Sequence, residues 1–532
     1  MEFELELTEA AAARLPRLRA ILARKQGRAQ SRAVRWVWHD GADAELARNG
    51  LALVESRGAW RLERSRPLRR DEARRDPARD DAWPPGAVAP VLAEAASVAA
   101  LAEEAGVDVP GHLVPWAAFE GRALTMSLRP ARDLEAAVVT EAGAELSEPA
   151  EPPEPAGGGL ELTLLTGTIR TVARENPQWR LRLSGPGDEV GDLAIWLAGE
   201  IDARVPASSL AERALAAARG YDPAPRRLGA PVLAATMSVA GAFADVVGHL
   251  TDVVLHHAPA AAAAASGPEP VHQMRVATRR LRSAIAVFSR AIATAEVELA
   301  DAGLKHLAST LGPARDWDVF TTGTGADVHA AFAGDEAVER LLDEAERQRL
   351  AGYDALRQFV ASPEFRQLGV RLALLANAPV RPVADEAAAE LPESLAEFAA
   401  RALRRRLKRM FVEGSDIEHL DTTTLHDIRL RAKRLRYACE FFAPVFPHKT
   451  TRRFIHRLSV LQERLGILND GTVAADLLAR LERSGRRAGS SAVSRALAVG
   501  TVRGFVAAHG GAVRAGISDA WRKFHKTPLF WE

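Results

Sequence analysis

His272, Arg275, Arg279 and Arg282 are the first residues in this sequence whose types and spacing could do chemistry. A helix advances about 100° per residue, which places all four within a stripe of about 80°, with Arg280 standing to one side. The stripe is roughly 15 Å long at the helical rise. His426, Arg429, Lys433 and Arg436 repeat the arrangement, with Arg434 again to the side. Neither stripe contains an acid. A solvated helix face ordinarily mixes signs, because like charges three or four residues apart repel. Two same-sign stripes therefore point to a polyanion rich in phosphate. The arginine fork pairs bidentately with phosphate oxygens and stays charged at any biological pH. Histidine could donate a hydrogen bond to phosphate, and an adjacent polyanion would favour its protonated form.

The two stripes belong to an internal duplication with a constant offset of 154 residues. VHQMRVATRRLRSAIAVF (271–288) recurs as LHDIRLRAKRLRYACEFF (425–442). The offset also pairs Phe288 with Phe442, Leu304 with Leu458, Leu311 with Leu465, Gly312 with Gly466 and Asp316 with Asp470. Two homologous helical halves related by a pseudo-two-fold are the natural architecture. Asp316 and Asp470 each follow an apparent Leu-Gly turn, so a helix cap or a salt bridge to a basic helix is their expected role. Further cations accompany the second copy. Arg401, Arg404, Arg405 and Lys408 form one stripe of RALRRRLKRM, and Arg452, Arg453 and Arg457 follow PVFPHKT.

Composition sets the frame for these stripes. The chain has 532 residues, 47% of them hydrophobic, enough for two or three globular domains. Net charge is only +1. Residues 231–532 hold 40 basic and 34 acidic side chains, and 401–457 hold 15 and 6, so the excess is local. No charge-free apolar run reaches membrane-spanning length, and the MEFELEL start lacks the basic-then-apolar pattern of a secretion signal. The lone Cys439 sits in an apolar helical run and is expected to be core; a single cysteine fits a reducing, cytoplasmic location. Gly-rich phosphate loops, GxSxG elbows and CxxC pairs are absent from the sequence. His426-Asp427 resembles a metal-binding HD pair, but the first copy reads His272-Gln273, so the carboxylate is not part of the repeated design.

Before residue 220 the pattern is different. Glu2, Glu4 and Glu6 alternate with Phe3, Leu5 and Leu7, as in a strand with three carboxylates on one face. Short strand-like runs recur at 33–38, 51–54, 60–63, 123–128, 160–165 and 179–183. The loop SEPAEPPEPAGGG (147–159) divides this region, and YDPAPRRLGAP (221–231) ends it. The expected domains are 1–220, a linker at 221–230, and an all-helical 231–525.

The repeated HxxRVxxRRxR and HxxRxxxKRxRY helices, with LGPARDWDVF and LGILNDGTVA after them, resemble the CHAD domain, the conserved-histidine α-helical domain. That resemblance implies two pseudo-symmetric four-helix bundles, and a basic surface or pore that binds inorganic polyphosphate. Its expected ligand-binding residues are His272, Arg275, Arg279, Arg280, Arg282, Arg401, Arg404, Arg405, Lys408, His426, Arg429, Lys433, Arg434, Arg436, Arg453 and Arg457.

The N-terminal region resembles the CYTH domain of the triphosphate tunnel metalloenzymes. Glu2 and Glu4 match its ExExK strand but Glu6 replaces the lysine; LELTLLTG (160–167) resembles a later strand and keeps Glu161. The resemblance implies a tunnel-like antiparallel β-barrel, with Glu2, Glu4 and Glu161 as vestigial metal ligands. Val54 and Ser56 stand where arginines belong and Leu165 where a lysine belongs. Each charge-assisted contact is worth about 1.5–3 kcal/mol, so these losses should abolish tight triphosphate binding. Without a metal, Glu2 and Glu4 would simply face solvent.

The combined expectation is a multidomain α+β, non-catalytic polyphosphate-binding protein that could associate with polyphosphate granules. It needs no cofactor, and Mg²⁺ or Mn²⁺ only if the CYTH-like domain is active. A metal-dependent triphosphatase with CHAD as its binding module is the alternative. Non-specific nucleic-acid binding is a third, disfavoured because few aromatics interleave the cations.

Overall fold

The computed structural model describes residues 1–65, 83–130, 159–220, 231–263, 266–289, 291–292, 294–377, 393–414, 417–485, 492–510 and 514–532. The 221–230 linker and residues 147–158 of the Pro/Gly/Glu loop lie outside them. The strands are β1 (Glu2–Leu7), β2 (Lys25–Asp40), β3 (Leu51–Ser56), β4 (Ala59–Arg64), β5 (Val91–Ala95), β6 (Val114–Leu128), β7 (Leu160–Arg170), β8 (Glu175–Ser184) and β9 (Ala203–Arg204). The helices begin with α1 (Glu9–Arg14), α2 (Arg19–Arg24), α3 (Glu45–Arg48), α4 (Val98–Ala105), α5 (Gly187–Glu200) and α6 (Leu210–Ala218). They continue with α7 (Val239–Ala261), α8 (Glu269–Phe288), α9 (Ala295–Thr322), α10 (Thr324–Ala331), α11 (Glu336–Ala361) and α12 (Pro363–Asn377). The last are α13 (Leu395–Glu413), α14 (Thr422–Phe442), α15 (His448–Gly485), α16 (Ala492–Gly510) and α17 (Arg514–His525).

Packing divides the chain into two units: Met1–Leu228 with Ser362–Ala378, and Gly229–Ala361 with Pro379–Glu532. In the first, nine antiparallel strands run in the order β5-β4-β3-β2-β6-β7-β8-β1-β9. Every strand-like run read from the sequence falls inside one of them. The expected barrel is not closed. Closure needs the two edge strands to pair, and among the described residues β5 and β9 have no pairing with each other. β9 is only two residues long. Helix α6, started by the Ser209–Glu212 capping box, lies against the sheet instead. Its Leu210, Ala211, Ala214 and Leu215 pack with Val34, Trp38, Phe119 and Leu165.

Helix α12 lies inside the sequence span of the helical region yet packs in the first unit. Its Arg366 Nε donates to the Ala198 carbonyl at 2.9 Å, and Asn377 Nδ2 to the Pro85 carbonyl at 2.8 Å. Leu374 lies over Gly191 of α5, where an added Cβ would already be in contact at 3.5 Å.

In the second unit the two copies share an apolar cluster. Trp317, Phe320 and Leu341 of the first copy pack with Leu477, Leu481 and Val502 of the second. Elsewhere the repeat mates Phe288 and Phe442 meet at 5.8 Å between rings, and Phe398 stacks on Phe288 at 5.2 Å. Cys439 is buried beside them in sequence, as expected of a core residue. One helix, α7, is long and apolar enough to cross a membrane by length and composition alone, which the sequence reading did not anticipate. Phe243, Val246, Val247, Leu250 and Val254 bury it in this unit's core.

Candidate functional site

Helix α8 buries Val271, Met274, Ala277, Thr278, Leu281, Ile285 and Phe288, the three-and-four spacing of a helix with one packed face. That registry leaves His272, Arg275, Arg279 and Arg282 half-buried along its flank. Here the acids absent from the stripe itself arrive from other helices. Asp316 Oδ1 of α9 lies 3.6 Å from Arg275 Nη2, and Asp301 Oδ1 accepts from Arg282 Nε at 3.0 Å. Asp316 sits in the middle of α9 rather than after a turn, since Gly312 and Pro313 are both helical. Asp318, 1% exposed, ties this part of α9 to α11: Arg349 Nη1 donates to it at 3.2 Å and Tyr353 Oη at 2.9 Å.

Electrostatics identify what converges on this point. Burial, then Arg315, lowers the His272 pKa, with Glu269 opposing. Burial, then Arg279, lowers that of Arg275; Arg315 and Arg429 add to the repulsion. The Asp316 carboxyl is pushed up by burial and pulled back by Arg275, Arg480, Arg279 and Arg315. Arg275, Arg279, Arg315 and Arg480, from α8, α9 and α15, therefore act on the Asp316 carboxylate, and Arg429 of α14 acts on Arg275. Arg275 and Arg429 are repeat mates, so both copies contribute to the same patch.

Other expected site residues are engaged elsewhere. Arg280 Nη2 pairs with Glu440 at 2.7 Å, and Arg436 with the same carboxylate at 3.6 Å. Both guanidiniums stand 5.6 Å from the ring centre of Tyr437. Arg401 donates to Glu393 at 2.9 Å, and Arg404 lies 3.9 Å from Glu532. Lys408, His426, Arg434 and Arg453 are exposed; Arg405, Lys433 and Arg457 are half-buried. Arg406, outside the expected set, donates to the Ala286 carbonyl near the end of α8 at 2.8 Å. Burial, then Arg405, Arg409 and Arg434, brings its pKa down to about 10.

In the first unit, Glu2, Glu4 and Glu6 lie opposite Ser184, Arg182 and Arg180 of β8. Ser184 also faces Glu161 of β7, which keeps Glu2 and Glu161 two strands apart. Glu4 does not face solvent: it is 8% exposed. It accepts from the buried Arg180 at 3.4 Å and lies 3.8 Å from Arg182. Glu6 accepts from Arg213 of α6 at 2.8 Å. Half-buried Glu63 pairs with Arg61, and desolvation pushes its carboxyl up. Among the described residues no three His, Cys, Asp or Glu side chains assemble as metal ligands. The set Glu2, Glu4 and Glu161 does not fit a divalent cation, because guanidiniums already hold the buried carboxylate.

The sequence model of the CHAD domain family matches residues 245–479. These residues form a CHAD domain. Two uncharacterized proteins of Mycobacterium tuberculosis, from strains CDC 1551 and H37Rv, are each 31% identical over 173 residues. That is 32% of this chain and 33% of theirs, so the match spans about a third of the relatives' length. The crystal structure of the CHAD domain from the plant Ricinus communis is 27% identical, covers 57% of this chain and 99% of that one, and has a TM-score of 0.48. PptA from Streptomyces chartreusis is 17% identical over 52% of this chain and 98% of its own, with a TM-score of 0.41.

Around Asp316, sequence reasoning missed Arg315 and Arg480. Arg315 was signalled only by standing beside the repeated Asp316. Arg480 carried no signal: its repeat mate is Ala326, and only the fold brings α15 to α9.

Proposed function

We propose that the CHAD domain holds inorganic polyphosphate along the His272 and His426 helices, each copy supplying a four-helix half. The observation that carries this reading is the convergence of Arg275, Arg279, Arg315 and Arg480 on the Asp316 carboxylate, with Arg429 of the second copy acting on Arg275. Such clustering destabilises an unliganded surface, whereas a chain of phosphates satisfies several guanidiniums at once. Tyr437, the aromatic nearest the stripes, is 3% exposed and flanked by Arg280 and Arg436, so it offers no stacking platform for a nucleobase. The first unit, a CYTH-like sheet in this reading, acts without catalysis, because Arg180 and Arg182 hold Glu4, the buried carboxylate a metal would need.

Calorimetric titration of the full chain with long-chain polyphosphate, at two salt concentrations, tests this. The full chain is required because α12 belongs to the first unit. Affinity should fall as salt rises, by analogy with counterion release from nucleic acids. Single-stranded DNA should compete weakly, and tripolyphosphate with Mg²⁺ or Mn²⁺ should release no phosphate above background. Polyphosphate binding that is undetectable at low salt would refute the reading, and metal-dependent turnover would replace it with the triphosphatase.

A further inference from the structure

The Asp316 carboxylate, beside Arg275, carries a charge of the same sign as the ligand. Asp316 lies 3.6 Å from Arg275, with Arg279 of the same helix, Arg315 of its own helix and Arg480 of the second copy all acting on it. Its side chain is 37% exposed, so it can swing into solvent without unpacking the core. Asp318, two residues on, carries the structural ion pair that locks α9 to α11. The two carboxylates thus divide the work, and Asp316 is not needed to anchor its helix.

Building on the polyphosphate reading, we propose that Asp316 is an internal counter-anion: it occupies the phosphate position of the cationic cluster and must be displaced by any phosphate chain that binds there. Its effect is on occupancy. Displacement weakens every phosphate ligand by a common factor. That factor removes almost no occupancy from a chain that engages many guanidiniums. It removes most of the occupancy of a single phosphate, whose affinity is low to begin with. Asp316 therefore sets a threshold below which small phosphates leave the cluster empty. In the unliganded protein it also relieves repulsion among Arg275, Arg279, Arg315 and Arg480.

The decisive comparison uses the full chain and Asp316→Asn, titrated with orthophosphate, tripolyphosphate and long-chain polyphosphate, with melting followed in parallel. We expect the variant to bind all three more tightly, by about tenfold, equivalent to about 1.4 kcal/mol. It should melt lower than wild type without ligand and recover when polyphosphate is added. If Asp316 instead positions Arg275 for the ligand, the variant will bind more weakly, and the proposal falls. Unchanged affinity overturns it as well. Should the variant not fold alone, Arg480→Gln eases the repulsion, and adding Asp316→Asn in that background should still tighten binding. A wild type that ignores polyphosphate would instead sink the site reading itself, an outcome separable from a wild type that binds and a variant that does not bind better.

Discussion

His272 lies half-buried with Arg315 and Glu269 acting on it, whereas its repeat mate His426 is exposed. Arg282 reaches Asp301 on the neighbouring helix, while its mate Arg436 turns to Glu440 within its own. The first copy breaks its third helix at Gly323, between α9 and α10; the second runs through as the 38 residues of α15, with Leu477 in the corresponding place. The last helices part company too. α17 packs on α15 within its own copy, but α12 packs on α5 in the first unit. What the copies keep is what faces the other copy: Arg275 with Arg429, and Phe288 with Phe442. The lesson is that the duplication preserves a shared seam, and that the cluster on this seam is weighted towards the first copy, which alone adds Arg315 and Asp316 among the described side chains.

The strongest test of that seam is to remove its shared charges. Arg275→Gln, Arg279→Gln and Arg429→Gln together should weaken polyphosphate binding by about a thousandfold or more, since each charge-assisted contact contributes about 1.5–3 kcal/mol. Replacing Arg280 and Arg436 with Gln should do the opposite: binding changes little, but the half-buried Glu440 loses both partners and the melting temperature falls. Titration and melting of both variants check this. Equal losses of affinity would mean that the whole face binds and that no seam is special.

A second contrast concerns the helices that close each copy. Phe365 of α12 is 6% exposed in the first unit, and Phe524 of α17 is fully buried in the second. Truncating either to Ala should destabilise by about 3–5 kcal/mol. Hydrogen exchange should localise the damage: Phe365→Ala opens β1, β8 and α5, and Phe524→Ala opens α15. Polyphosphate affinity should survive the first change. Loss of protection in α8 and α9 on truncating Phe365 would contradict the placement of α12.

The sequence made some of this legible and hid the rest for physical reasons. Strand and helix periods are local, so the strands of the sheet and the two His/Arg helices could be read directly. Barrel closure is not local: it depends on edge strands, and a two-residue β9 has no period to read. α12 shows the same limit, because PEFRQLGVRLALLAN announces an apolar face without saying what covers it. Asp301 and Asp316 were invisible on a helical wheel, since they reach the first stripe through tertiary packing, whereas Glu440 stands four residues after Arg436 on the same helix and could have been read. One signal was available and unused. The Glu spacing of EFELEL complements the Arg spacing of WRLRLS, which β1 and β8 realise residue by residue.

The smallest expected effect separates the two histidines by pH. Burial and Arg315 hold the His272 imidazole below its ordinary pKa, so the unliganded fold favours the neutral ring. A base depressed in the folded state takes its proton first in the unfolded chain. Stability without ligand is therefore full above the ordinary imidazole range and declines as pH falls through it. A bound polyanion reverses the sign, because its field favours imidazolium and binding becomes coupled to proton uptake. Affinity for a long chain, whose internal phosphates stay ionised, should thus rise by about threefold to tenfold as pH drops from about 8 to about 5.5, a span that brackets the ordinary imidazole pKa. His272→Asn should flatten most of that rise. His426→Asn, at the exposed mate, should leave most of it in place. If both substitutions flatten the profile equally, the two histidines share one environment when polyphosphate is bound. The asymmetry between the copies would then belong to the unliganded protein alone.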